Sequence, residues 1–194
     1  MKKNIFNLFA ICTAALAVSA TPLLAADPDA TAFELIKEGN RHLGEDAKDR
    51  VVQIRSEKSI GTLTPNIWYI VYYDPDATAK ATEIKFGAGK KLSVKRPARI
   101  LEFATGNTEL PREKLKTDSD KAINIAKKDP MLKNLTLTST QLTLDRWNAE
   151  PVWKVRFWAA KLRDPSKTAD IGEIFVSAAT GEIVNNDLKI SRVD

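Results

Sequence analysis

An eleven-residue segment occurs twice in this chain, and that repetition constrains the fold more than any other feature of the sequence. Segments 74–84 and 164–174 align without a gap and share six of eleven residues: an Asp-Pro pair, a Thr-Ala pair and a Glu-Ile pair. Trp68 and Trp153 open strand-like runs just before each copy, and a Gly-containing turn follows each copy. A spacing of 85–90 residues is far too long for a solenoid repeat. The pattern therefore predicts duplication of one small domain.

Each copy reads as a helix followed by antiparallel strands. Asp29 or Thr31 is placed to cap the first helix, and Asp118 or Ser119 to cap the second, before Asp129-Pro130 ends it. Runs rich in β-branched and aromatic residues follow each helix, and glycines mark hairpins at 87–89 and at 180–181. The predicted class is α+β, a tandem repeat of a helix packed on an antiparallel β-meander. Residues 98–103 are predicted as one more strand near the junction.

The second copy resembles the PepSY domain, a small module of protease propeptides and exported bacterial proteins. The resemblance covers roughly residues 117–190, and Ser177 departs from it by standing near a place where the family often has Asp. It is carried by the helix Ala122–Ala126 and by three motifs: Pro151-x-Trp153-x-Val155-x-Phe157, Gly172-x-Ile174-x-Val176 and Ala179-Thr180-Gly181-Glu182-Ile183. The resemblance implies a PepSY/cystatin-like fold and, in some members, inhibition of a protease.

These observations divide the chain into three parts. Residues 1–26 read as a secretory signal peptide, because a basic start and an apolar run end in small residues, with cleavage expected after Ala25 or Ala26. Cleavage after Ala20 and a retained membrane anchor are the less favoured alternatives. Residues 27–106 form a divergent first PepSY-like unit, whose turn lacks the Thr-Gly-Glu form, and residues 107–194 form the second. The expected location is periplasmic or secreted.

Composition excludes several classes of function. The only cysteine, Cys12, lies in the predicted signal peptide, so the mature chain has no thiol nucleophile, thiolate metal site or disulfide. Without Lys2 and Lys3 the chain has 28 basic and 25 acidic residues, a weaker balance than nucleic-acid binding requires. No later stretch is apolar enough to span a membrane. The single histidine, His42, has no readable catalytic or metal-binding partners, so we expect no enzymatic activity, cofactor or metal.

Alternation along the aromatic strands predicts a contact face. Trp68, Ile70 and Tyr72 should lie beneath the helix of the first unit, with Tyr69 and Tyr73 on the opposite face. The same reasoning places Trp153, Val155 and Phe157 beneath the second helix and Trp158 opposite. The faces that carry Tyr69, Tyr73 and Trp158 either meet each other within the chain, the favoured alternative, or bind a partner.

A basic patch is the second candidate surface: Lys85, Lys90, Lys91, Lys95 and Arg96. It either contacts an anionic surface or protects a sheet edge against pairing, and the second alternative is favoured two to one.

The sequence thus predicts an exported, non-enzymatic binding module whose partner is a protease or another envelope protein. One alternative is a structural protein held at the envelope surface by the basic patch. The other is an enzyme of unrecognised type.

Overall fold

The computed structural model describes residues 30–97 and 109–194. Two helices and eight strands alternate with four short 3-10 turns. The helices and strands are α1 (Ala32–Asn40), β1 (Val51–Ser56), β2 (Ile67–Tyr73), β3 (Ala81–Gly87), β4 (Lys90–Lys95), α2 (Ser119–Ala126), β5 (Leu137–Trp147), β6 (Glu150–Ala160), β7 (Thr168–Ser177) and β8 (Ile183–Leu188). The 3-10 turns are Glu45–Ala47, Arg112–Lys114, Pro130–Leu132 and Ile190–Val193. The α+β class and the antiparallel strands are confirmed. The predicted signal peptide and the predicted strand at 98–103 lie outside the described residues.

All eight strands form one antiparallel sheet in the order β4-β3-β2-β1-β5-β6-β7-β8. The first four strands and the last four each form a meander, and the two meanders join along β1 and β5. Ile54 pairs with Leu144 and Arg55 with Thr143 across this joint, and Ser56 Oγ accepts a hydrogen bond from Leu142 N at 2.9 Å. The two predicted units are therefore neighbours in one continuous sheet.

Both helices pack on the same face of the sheet and share one core. The buried apolar residues of α1 and α2 belong to a single cluster with the inward residues of the strands. Trp68 on β2 and Trp153 on β6 are both buried and meet edge to face, with ring centroids 6.4 Å apart. Phe33 of α1 contacts Trp153 at 6.2 Å. These aromatic contacts join the two halves in one core on the helix side, and the predicted placement of Trp68 and Trp153 beneath the helices is confirmed. A second, small buried cluster of Val52, Val71 and Ala81, with Tyr73 packed against it, lies within the first half.

The N-termini of the two helices meet at a shared cap. Thr31 caps α1 in a capping box with Glu34, and Asp118 caps α2 by accepting a hydrogen bond from Ser119 N. Asp118 also accepts from Phe33 N at 3.1 Å, so it satisfies free amides of both helices. Both caps are among those expected from the sequence. Among the described residues, no helix has the length and apolarity needed to cross a membrane.

Hairpin geometry follows the turn residues. Ala88 and Gly89 connect β3 to β4 with φ values of 47° and 75°, the left-handed conformation of a tight type I′ turn. Asn148 and Ala149 connect β5 to β6 with φ values of 51° and 67°. In contrast, ten residues (57–66) connect β1 to β2. The first half therefore has a long loop at the place where the second half has a two-residue turn.

Candidate functional site

The candidate site is the face of the sheet opposite the helices, here called the open face. Strand alternation turns Tyr69 and Tyr73 on β2, and Lys154, Arg156 and Trp158 on β6, to this side. Their neighbours Ile70, Val155 and Phe157 are buried on the helix side. The open face therefore extends over both halves, and in the first half it includes the fully buried side chains of Val71 and Ala81.

A row of eight side chains crosses the whole open face, one from each strand, and we call it the central row. Cα pairing defines it as Ser93, Lys85, Tyr69, Arg55, Thr143, Lys154, Phe175 and Asn185. Cations and aromatic rings alternate along much of this row. Directly opposed side chains on antiparallel strands are close enough to interact, so the row is a contact network.

Cations lie over the aromatic rings of the central row. Arg55 Cζ lies 4.5 Å from the ring centroid of Tyr69, and Lys85 Nζ lies 5.0 Å from it. In the second half, Lys154 Nζ lies 5.9 Å from the ring centroid of Phe175. Such contacts fix the rings on the sheet surface and contribute roughly 0.5–1 kcal/mol each at exposed sites.

Carboxylates within the open face neutralise these cations. Arg55 pairs with Glu83 at 2.6 Å and Lys154 with Asp145 at 3.1 Å. Lys85 pairs with Glu57 at 3.0 Å, and Glu57 also accepts a hydrogen bond from the Tyr69 hydroxyl at 2.5 Å. The hydrogen bond from Tyr69, followed by that from Lys85, holds the pKa of Glu57 below its usual value. The three cations of the central row are therefore each balanced by a neighbouring carboxylate on the open face.

Tyr73 and Trp158 stand at other points of the open face, each under a cation. Arg50 Cζ lies 4.3 Å from the Tyr73 ring centroid, and Arg50 also pairs with Glu109 at 2.6 Å. That hydrogen bond to Glu109 raises the pKa of Arg50, against the effect of burial. Lys58 Nζ lies 4.4 Å from the Trp158 ring centroid.

The structure places the three aromatic residues predicted for the contact face, Tyr69, Tyr73 and Trp158, on the open face. All three are half-buried, so none is enclosed in the core. The two halves join edge to edge through β1 and β5, so their open faces lie side by side and do not cover each other. Within the described part of the chain, neither helix packs on this face.

The five residues of the predicted basic patch do not share one free surface. Lys90 and Lys95 lie opposite Gly87 and Glu83, while Lys91 lies opposite Phe86 and so on the other side of edge strand β4. Lys85 pairs with Glu57, and Arg96 Nε lies 3.6 Å from Asp74 Oδ2. Lysines on both sides of an edge strand fit protection against edge-to-edge pairing.

The two Asp-Pro segments form connections between the second and third strands of each half. Asp74 Oδ1 accepts a hydrogen bond from Asp76 N at 3.1 Å, and Asp164 Oδ1 accepts from Ser166 N at 3.3 Å. Asp74 is buried, whereas Asp164 is half-buried. Burial works to raise the pKa of Asp74, but hydrogen bonds from Thr82 and Asp76 keep it below its usual value. In both places the aspartate orders a turn.

The single histidine and the helix-side cleft lie away from the open face. His42 Nε2 lies 3.6 Å from Glu38 Oε1 without a hydrogen-bond partner. Within residues 30–97 and 109–194, no group of three or more His, Cys, Asp and Glu side chains is placed to hold a metal ion. A cleft of about 250 Å³ lies on the helix side, where an ion pair between Arg112 and Asp49 stands over apolar walls that include Ile36 and Val51.

The sequence prediction missed the central row and the long loop between β1 and β2. Tyr69 was identified by alternation within its own strand, but its neighbours Arg55 and Lys85 lie on other strands. Alternation shows which face a side chain occupies; strand order and register show which side chains it meets. The sequence did not show that β1 pairs with β5, and that pairing brings the two halves of the central row together.

Comparisons with protein-family models, curated protein sequences and solved structures give no match to this chain.

Proposed function

We propose that this chain is an exported, non-enzymatic binding protein that holds a protein partner against its open face. In this account it acts in the periplasm or after secretion, and its partner is a protease or another envelope protein. The two halves are two fused PepSY-like units, the first divergent, and the catalytic steps belong to the partner.

Two features support duplication as the origin of the two halves. Each half has a helix followed by a four-stranded meander. Ile70, two residues after Trp68, pairs with Ile84. Val155, two residues after Trp153, pairs with Ile174. The Glu-Ile pair of the sequence repeat thus keeps the same register to the Trp strand in both halves. Fusion of the two sheets gives an open face twice as wide as that of one unit.

The observation that carries the proposal is the set of half-buried aromatic rings held under cations on the sheet face opposite α1 and α2. Tyr and Trp side chains provide a large contact area and a polar group, and they lose little conformational entropy when a partner binds. Here Arg55, Arg50 and Lys58 already restrain the rings of Tyr69, Tyr73 and Trp158. Because most cations of the face are paired with carboxylates, its charge pattern suits a protein surface better than a polyanion.

The experiment is affinity capture of the full chain, tagged at its C-terminus, from the envelope of the cells that export it. We compare the wild type with Tyr69→Ala and Trp158→Ala on the open face. Lys121→Ala and Lys127→Ala, both exposed on α2, are the matched controls. Circular dichroism establishes that every variant is folded before capture.

We expect one protein to be recovered with the wild type and with both α2 variants, and to be lost or strongly reduced with both open-face variants. Equal recovery with the open-face variants would contradict the proposal. So would a partner that is lost only with the α2 variants.

A further inference from the structure

The connection between β1 and β2, residues 57–66, carries the most exposed large apolar side chain that the structure describes. Ile60 is 90% exposed at its tip. The corresponding connection in the second half is the two-residue turn between β5 and β6. The fold itself requires neither the extra length of this loop nor an isoleucine exposed to solvent.

Hydrogen bonds to β5 hold this loop in place. Ser59 N donates to Thr140 O at 2.8 Å, and Thr140 N donates to Ser59 Oγ at 2.8 Å. Further along, Thr140 Oγ1 donates to Leu63 O at 2.6 Å, and Ser59 Oγ donates to Thr62 O at 2.6 Å. Ser59 itself is 2% exposed. Ile60 is therefore presented from an anchored backbone.

A hollow of about 370 Å³ opens beside Ile60. Lys58, Ser59, Ile60, Gly61 and Ser139 line it. Ser139 is the strand partner of Trp158, whose ring lies under Lys58, so the hollow borders the open face. Lys58 forms no ion pair with any described residue. Ile60, the hollow and Lys58 therefore lie together at one edge of the open face.

We propose that residues 57–66 are the specificity loop of the binding protein. Ile60 enters an apolar pocket on a folded protein partner, and a carboxylate of that partner, beside the pocket, pairs with Lys58. This inference rests on the function proposed above and adds the chemistry of the partner's contact.

Energetic considerations favour this use of the loop. An isoleucine in solvent gains its transfer free energy only when a partner covers it. Because the loop is already fixed to Thr140, binding orders few additional residues, which keeps the entropic cost of association low. An unpaired Lys58 favours a partner with an acidic group at that point.

Site-specific photo-crosslinking inside the exporting cell tests the loop separately from the open face. A photoreactive amino acid replaces Ile60 in the loop, Arg156 on the open face or Asn124 on α2, in the full chain. We expect the same protein adduct from positions 60 and 156 and none from position 124.

The outcomes separate the two proposals. An adduct from position 156 with none from position 60 would overturn the loop assignment and leave the open face as the binding surface. No adduct from either position would overturn both. An adduct from position 124 alone would place the partner on the helix side and also overturn both.

The protein identified in the adduct is then purified and titrated with wild type, Ile60→Ser, Lys58→Ala and Ile60→Leu. We expect Ile60→Ser to weaken binding at least tenfold, Lys58→Ala to weaken it severalfold in low salt only, and Ile60→Leu to stay within about threefold of wild type. Ile190→Ser, a partly exposed isoleucine beyond β8, is the matched control and should bind as wild type. Wild-type affinity for Ile60→Ser would overturn the assignment.

Discussion

The two halves of the molecule share an element order and differ most in the lengths of their strands and in the connection between their first two strands. The first has strands of six and seven residues, with a ten-residue loop between β1 and β2. The second has β5 and β6 strands of eleven residues each and a two-residue turn. On the helix side, by contrast, Trp68 and Trp153 occupy matching positions and touch. The two halves thus share one core on the helix side but present loops of different length to solvent.

That contrast indicates where function resides. A core position is held by packing, so its similarity in the two halves says little about binding. The two halves differ at Ile60, at the Asp-Pro turns and along the central row. Each of these differences changes the side chains that the surface exposes.

Loss of either central tryptophan should have the largest effect. Trp68→Ala and Trp153→Ala should each lower the free energy of unfolding by about 3–5 kcal/mol, because both side chains are buried in the shared core. Urea denaturation should show one transition in each variant. Trp158→Ala, on the half-exposed open face, should cost clearly less. Two separate transitions would show that the halves fold independently and would break the idea of a shared core.

Gly172 marks a constraint on β7 that β3 does not have. Its φ is +94°, and a Cβ atom there would overlap the carbonyl oxygen of Asp187 on β8. Gly172→Ala should therefore lower the free energy of unfolding by roughly 2–3 kcal/mol, from backbone strain and overlap together. Gly61→Ala shares the positive φ but faces open space, so thermal unfolding should show a smaller loss, of about 1 kcal/mol. Equal losses would mean that β8 moves away readily.

The helix caps should differ because only one of them serves both halves. Asp118→Ala removes the cap of α2 and an acceptor for Phe33 N of α1, so it should cost roughly 2 kcal/mol. Thr31→Ala removes the cap of α1 and a hydrogen bond to Asp118, but leaves Asp118 as acceptor for both helices, and should cost about 1 kcal/mol. Chemical denaturation measures both. A Thr31 effect as large as that of Asp118 would contradict the shared cap.

The two Asp-Pro turns should differ in their dependence on pH. The carboxylate of Asp74 is buried, accepts a hydrogen bond from Thr82 Oγ1 at 2.6 Å and has a lowered pKa, so its charged form stabilises the folded state. That stabilisation is fully present above the ordinary aspartate pKa of about 3.9 and is lost as the pH falls through the lower folded-state pKa. Asp74→Asn should cost about 1–2 kcal/mol at pH 7, and the difference from wild type should shrink below about pH 4.

Asp164→Asn is the matched control in the second half. The hydrogen bond from Ser166 lowers the pKa of Asp164 as well, but this side chain lies near solvent. Its substitution should therefore change stability much less than that of Asp74 at every pH. A difference between wild type and Asp74→Asn that persists at pH 2 would contradict the account of the buried carboxylate.

Much of the fold could be predicted from patterns within short segments of the sequence. Thr31 and Asp118 were identified as caps from residue type and position, and the turn at 87–89 from its glycines. Strand alternation placed Trp68 and Trp153 on the inner face, because a period of two leaves only two faces to choose between. These features depend on residues close together in the chain.

Features that depend on residues far apart could not be predicted in the same way. Ile54 and Leu144, which join the two meanders, are separated in the chain by β2, β3, β4 and α2, and the sequence of neither strand indicates the other as its partner. The sequence around Ser59 does not indicate its hydrogen bond with Thr140, because only the fold brings the two residues together. For the same reason the sequence favoured contact between the two aromatic faces, whereas edge-to-edge pairing places them side by side.

Radical footprinting of the purified complex tests the central claim most directly, since it reports solvent access one side chain at a time. With the captured partner bound, we predict that Tyr69, Tyr73 and Trp158 on the open face lose reactivity, while Met131, exposed on the helix side, reacts as in the free protein. Protection of Met131 with unchanged labelling of the three open-face rings would show that the partner binds the opposite side, and the account would be wrong.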